Sequence, residues 1–133
     1  MVVVDTSVWV AVLRSHAAPE TRALEELLDE DDVILAVPVR VELLLGAPAR
    51  DRVRLRRILS ALPVAYPTDE TWVLIGGWAG DALDAGHRFG LGDLLIAALA
   101  SERDALVWSL DSDFERMARL KLVSLYDPQQ SRQ

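Results

Sequence analysis

Short β-branched runs alternate with helix-periodic stretches along the whole chain, and this constrains the fold more than any other feature of the sequence. Apolar runs at 2–4 ("VVV"), 33–37 ("VILAV"), 64–66 ("VAY"), 105–110 ("ALVWSL") and 122–126 ("LVSLY") read as strands. Between them, 7–14, 19–30, 39–46, 49–62, 69–86, 93–104 and 112–120 carry helical periodicity or helix-end signals. Strands alternating with helices predict an α/β fold with a parallel sheet covered on both faces. Ligand sites in such sheets form beyond the carboxyl ends of the strands.

At 133 residues the chain is expected to form one domain over 1–126, with a frayed tail over 127–133. The segment 93–104 opens "DLLIAALA" and is apolar nearly all round, so it should be a central, buried helix. Three glycines, Gly76, Gly77 and Gly80, weaken the helix expected at 69–86. Their usual reason is close packing against another helix, within the fold or across a dimer. Ser112 and Glu115 have the spacing of a capping box at the start of the seventh helix.

Four carboxylates stand where such a sheet does chemistry. Asp5 follows the first strand directly, in "VVVDTSV". Glu42 lies in the short helix after the second strand, in "VRVELLL". Asp93 opens the buried helix, in "GLGDLLIAA", and Asp111 follows the fourth strand, in "VWSLDSDF". Each has a plain structural alternative. Asp5 and Asp93 are good helix caps by type, and Glu42 can point to solvent. Asp111 precedes a helix whose cap looks to be Ser112. Asp113 sits in that helix's first turn, where it suits the dipole, and ranks as secondary. Charges embedded in apolar sequence need partners. Converging carboxylates repel unless a cation neutralises them, and oxygen-only ligands suit magnesium or manganese. There is no cysteine, which argues against zinc, and His16 and His87 fall in expected loops, where they read as solvated.

The formal net charge of −7 argues against nucleic-acid binding by bulk electrostatics. Local pattern qualifies this. "ARDRVRLRR" (49–57) holds five arginines, whereas "EELLDEDD" (25–32) holds six acids. The basic run reads either as a solvated helix face or, with Arg40, as a guanidinium surface for phosphates. The first apolar stretch has no basic leader and meets Asp5 after four residues. It reads as neither signal peptide nor membrane span, so a cytoplasmic protein is expected.

"VVVDTSVWV", Glu42 in "PVRVELLLG", "GLGDLLIAALA" and "LVWSLDSDF" together resemble the four motif regions of the PIN-domain ribonucleases, and more narrowly the VapC-type toxins of bacterial toxin–antitoxin pairs. The resemblance spans essentially the whole chain. It implies a three-layer α/β/α fold with a central parallel sheet and a Mg²⁺- or Mn²⁺-dependent endoribonuclease. By the family's pattern Asp5, Glu42, Asp93 and Asp111 would hold the metal, and Ser109 would hydrogen-bond in the site, as would Thr6 or Ser7. Asp113 would be an acid set further out. The approach to Asp93, "RFGLG", lacks the second acid that some members carry. The expected reaction is hydrolysis by activated water, leaving 5′-phosphate and 3′-hydroxyl ends, since no histidine pair is placed to activate a 2′-OH.

The resemblance also implies a homodimer and a VapB-type antitoxin that covers a hydrophobic groove. Trp9, Leu13, Trp72 and Trp78 are candidates for such a surface. Rival readings are a receiver-like phosphoacceptor domain, which would want a lysine at a late strand end, and an aspartyl-nucleophile phosphatase, which would want an acid at position 7. Lys121 is the sole lysine and position 7 is serine. A non-catalytic partner-binding module with a vestigial acidic pocket is the third.

Overall fold

A computed structural model describes residues 1–130. Four parallel strands form one sheet: β1 (Val2–Val4), β2 (Val33–Ala36), β3 (Val64–Ala65) and β4 (Leu106–Trp108), in the order β3-β2-β1-β4. Register is set by Val3 opposite Ile34 on one side and Val107 on the other. All three valines of β1 are at most 4% exposed. Successive strand side chains point to opposite faces, so this burial means that both faces of the sheet are covered. The three-layer architecture follows.

Among the described residues seven α-helices surround the sheet: α1 (Thr6–Arg14), α2 (Thr21–Asp29), α3 (Val37–Gly46), α4 (Arg52–Ser60), α5 (Asp69–Asp84), α6 (Leu91–Ser101) and α7 (Ser112–Arg119). Helix α3 starts directly at the end of β2, with Pro38 in its first turn where no amide is needed. Helix α6 crosses β1, β2 and β4, and α5 packs on its far side. Its Leu94, Ile96, Ala97, Ala98, Leu99 and Ala100 are all buried, as its nearly uniform apolarity requires. Each fully buried leucine or isoleucine contributes about 1.5–3 kcal/mol. Phe114 and Met117 fasten α7 to the same core.

Three expectations need correction. The fifth strand is reduced to a single parallel bridge between Val107 and Leu125, at the open edge of β4. The run "LVSLY" has strand composition, but without a neighbour beyond it the ladder does not extend. The expected tail over 127–133 lies partly outside the described residues. Gly76, Gly77 and Gly80 are not packing sites within the chain: all three are exposed, and a Cβ added at any of them would meet no heavy atom within 4 Å. Helix α7 is capped by Asp111, whose side chain accepts the Asp113 N–H, and not by Ser112. The capping box lies instead on α5, where Thr68 and Thr71 exchange hydrogen bonds.

Candidate active site

The carboxyl ends of β1 and β4 lie side by side, and the chain turns into a helix at each. Asp5 takes the turn after β1. Its amide donates to the Trp108 carbonyl at 2.8 Å, one more rung of the sheet. Its carbonyl accepts from Val8 N–H and its side chain caps α1. The residue is 6% exposed. A carboxylate this buried needs hydrogen bonds to its charged form. Two serine hydroxyls supply them: Ser7 Oγ donates to Asp5 Oδ2 at 2.8 Å and Ser109 Oγ at 2.7 Å.

Each of those hydroxyls also accepts a backbone N–H, Ser7 from Leu110 and Ser109 from Asp111. A hydroxyl has one proton to donate. Both protons are therefore committed to Asp5, although the two oxygens lie 3.2 Å apart. The loop after β4 is thus tied to the turn after β1 through one carboxylate oxygen. Ser109 is placed as expected. Of the pair Thr6 and Ser7, Ser7 is the partner; Thr6 Oγ1 is buried with no hydrogen bond among the described residues.

Asp93 is the third residue of α6, which starts at Leu91 after Gly90, so it does not cap the helix. It faces the loop after β4. Its pKa is pushed up to about 6, chiefly by burial and then by the charges of Asp5, Asp111, Asp113 and Glu42. The same four carboxylates therefore surround it. One oxygen each from Asp93, Asp111 and Asp113 lie within 4.8 Å of one another. Asp5 and Glu42 flank this trio without joining it at that distance. Glu42 approaches across the start of α6: its Oε1 would sit 3.6 Å from a Cβ at Gly92. Asp113, ranked as secondary from the sequence, is a full member of the trio.

The donor set fits a hard divalent cation. It is all oxygen, and the mutual repulsion felt at Asp93 is what a cation would relieve. His87 is not solvated as expected. Its Nδ1 accepts from Arg116 at 3.2 Å, and its ring stacks on Phe89 with centroids 5.9 Å apart. Arg116 also bonds Asp113 and lies over the Phe89 ring at 4.7 Å. Sequence reasoning missed Phe89, His87 and Arg116. Only the three-residue spacing of Asp113 and Arg116 on one helix hinted at a pair.

Beside Glu42, a groove of about 490 Å³ runs between α1, α3 and α4. Val10, Leu13, Leu43, Leu55 and Ile58 form its apolar walls, and Arg14, Arg50 and Arg54 line it with charge. Trp9 is buried and is not part of this surface; Leu13 and Trp72 are exposed, and Trp78 is half-buried. Arg40 points elsewhere, donating to the Tyr66 hydroxyl at 3.2 Å and lying over its ring. Lys121 lines a cleft with Asp104 and Leu106 at the amino end of β4, at the opposite end of the sheet from the acids. The lysine that a phosphoacceptor site requires is therefore absent from this edge among the described residues.

The PIN domain family model matches residues 2–120. Ribonuclease VapC11 from Mycobacterium tuberculosis is 30% identical over 125 residues, covering 90% of this chain and 93% of that protein. A VapC ribonuclease from Mycobacterium bovis matches equally well. Among solved structures, VapBC-1 from nontypeable Haemophilus influenzae superposes with a TM-score of 0.76 at 17% identity, covering 97% of this chain and 99% of that one. VapBC2 from Rickettsia felis, solved bound to a DNA fragment from its promoter, gives 0.74 at 19%, covering 95% and 98%. With its parallel sheet, its acids at the sheet's carboxyl edge and a match over nearly its full length, the chain belongs to the PIN-domain family.

Proposed function

We propose that this protein is a ribonuclease toxin of the VapC type, a Mg²⁺- or Mn²⁺-dependent endoribonuclease neutralised by a VapB-type antitoxin. The observation that carries this reading is the convergence of Asp93, Asp111 and Asp113, flanked by Asp5 and Glu42, on one edge of the sheet. The similarity to VapC ribonucleases supports the substrate class.

Asp5, Glu42, Asp93 and Asp111 are the residues proposed to hold the cation. Bound there, the cation supplies Lewis-acid activation of water and neutralises charge on the scissile phosphate. Asp5 is fixed beforehand by Ser7 and Ser109, so it need not reorganise on binding. A cation would relieve Asp93, whose pKa is raised by burial and then by the charges of the surrounding carboxylates. Arg50 and Arg54 in the groove, with the exposed Arg52, Arg56 and Arg57, supply phosphate contacts around an acidic pocket. The groove's apolar walls suit an antitoxin segment laid against α1, α3 and α4. The bare face of α5 around Gly76, Gly77 and Gly80, next to the exposed Trp72, suits a second copy of the chain. We read one domain over 1–126 acting in the cytoplasm; no helix among the described residues is long and apolar enough to cross a membrane.

Incubating the purified protein with RNA in Mn²⁺ and in EDTA tests the reading. Cleavage in Mn²⁺ alone, leaving 5′-phosphate and 3′-hydroxyl ends, is the expected result. A 2′,3′-cyclic phosphate product, or cleavage unaffected by EDTA, overturns it.

A further inference from the structure

The Arg116 guanidinium is held from three sides. It lies over the Phe89 ring at 4.7 Å, donates to His87 Nδ1 at 3.2 Å, and donates to Asp113 Oδ1. His87 and Phe89 stack on each other nearly parallel, 5° apart. They belong to the segment between α5 and α6, one turn before Asp93, whereas Arg116 and Asp113 belong to α7. The clamp therefore joins the segment leading into α6, the helix that carries Asp93, to α7, which Asp111 caps. Arg116 and Asp113 are both about one-third exposed, so solvent screens the pair only in part.

An ordinary i,i+3 ion pair on a helix is loose and rotates among conformers. This one is not. The planar guanidinium has an aromatic face beneath it and an acceptor at each of two nitrogens, which fixes its plane. Asp113 is correspondingly fixed, with Oδ1 committed to a permanent cation while its carboxylate remains within 4.8 Å of Asp93 and Asp111. A carboxylate already bound to a guanidinium is a poorer ligand for a second cation.

We propose that Arg116 is a positioning residue that withholds Asp113 from direct ligation and so weakens metal binding at the site, with Phe89 and His87 holding the guanidinium in place. This rests on the metal-dependent reading above. The consequence for the site is that Asp93 and Asp111 remain the direct ligands of the trio, and the cation keeps positions open for water and phosphate.

The test is thermal unfolding of the whole chain titrated with Mn²⁺, which needs no RNA. Arg116→Met is expected to lower the Mn²⁺ concentration for half-maximal stabilisation by about three- to five-fold, the range a partly exposed ion pair supports. In an Asp113→Asn background the same change should leave that concentration unmoved, because Arg116 acts through Asp113. Arg116→Lys, which keeps the charge without the planar fork, should fall between. If Arg116→Met does not fold, Phe89→Leu loosens the same guanidinium from the other element and is expected to shift the titration in the same direction. A lower midpoint with and without Mn²⁺ but an unchanged half-saturation would mean a merely structural clamp and overturns the proposal, as does weaker binding. If the wild-type protein gains nothing from Mn²⁺, the metal-dependent reading fails and the proposal falls with it.

Discussion

The two ends of the sheet are both acidic, yet they differ in kind. At the amino end, Glu26, Glu30, Asp32 and Asp104 line a shallow cleft of about 290 Å³ beside Met1 and Val2. At the carboxyl end, Asp5, Glu42, Asp93, Asp111 and Asp113 gather. The amino-end acids are mostly exposed, and Glu26 pairs with its own helix neighbour Arg22. At the carboxyl end Asp5 is buried under two hydroxyls and Asp93 is half-buried among four like charges. Charge number does not distinguish the ends. What does is that the first set is mostly solvated and free to relax, whereas the second is built around a buried, anchored Asp5 and a half-buried Asp93, with Glu42 and Asp111 exposed at its rim. Only the second stores the repulsion that a cation relieves.

The sharpest way to break this comparison is activity. Asp93→Asn should lower RNA cleavage roughly a thousand-fold, the scale seen when a preorganised electrostatic group is lost. Glu30→Gln at the other end should leave the rate unchanged. Comparable losses from both would show that bulk charge, and not the anchored site, governs the reaction.

A smaller effect concerns anchoring. Ser109→Ala removes a hydrogen bond to a buried carboxylate and should cost about 1.5–3 kcal/mol in chemical denaturation. Ser7→Ala should behave alike. Arg22→Ala, which breaks an exposed i,i+4 pair at the amino end, should cost about 0.5 kcal/mol or less. Equal costs would mean that the serines do not hold Asp5.

A further effect is in pH. The folded protein raises the Asp93 pKa from 3.8 to about 6, so it binds that proton more tightly than the unfolded chain does. The resulting stabilisation is complete below pH 3.8 and is lost as pH rises through 6. In EDTA, Asp93→Asn should therefore melt above wild type at pH 7.5, and the gap should close as pH falls below 6. A gap that stays constant across this range would show that Asp93 is not the titrating group.

The sequence made the anchored end legible where local and global roles coincide. Val2–Val4 running into Asp5 announced both a central strand and an acid at its end. The apparent choice between helix cap and site was no choice: Asp5 caps α1 and belongs to the cluster. Asp111 does the same for α7. The apolar run of α6 likewise placed Asp93 at the edge of the core. Asp113 was read only as an outer acid, and the Arg116 clamp was illegible because its meaning depends on Phe89 and His87, which lie well upstream in the chain and meet Arg116 only in three dimensions. The fifth strand failed for the opposite reason. Its composition suits a strand, but pairing at an edge depends on neighbours that composition does not reveal.

Ser109 reaches Asp5 across 104 residues of chain. β1 and β4 pair directly in the sheet, although they are the first and last of its four strands in sequence. Closing so long a loop comes late, because its entropy must be overcome before any contact rewards it. The first acid thus leaves the ribosome long before Ser109, one of the two residues that anchor it. A half-made chain carries Asp5 and Glu42 but not the trio of Asp93, Asp111 and Asp113. The acidic cluster is complete only once the last fifth of the chain has been translated and folded against its first strand.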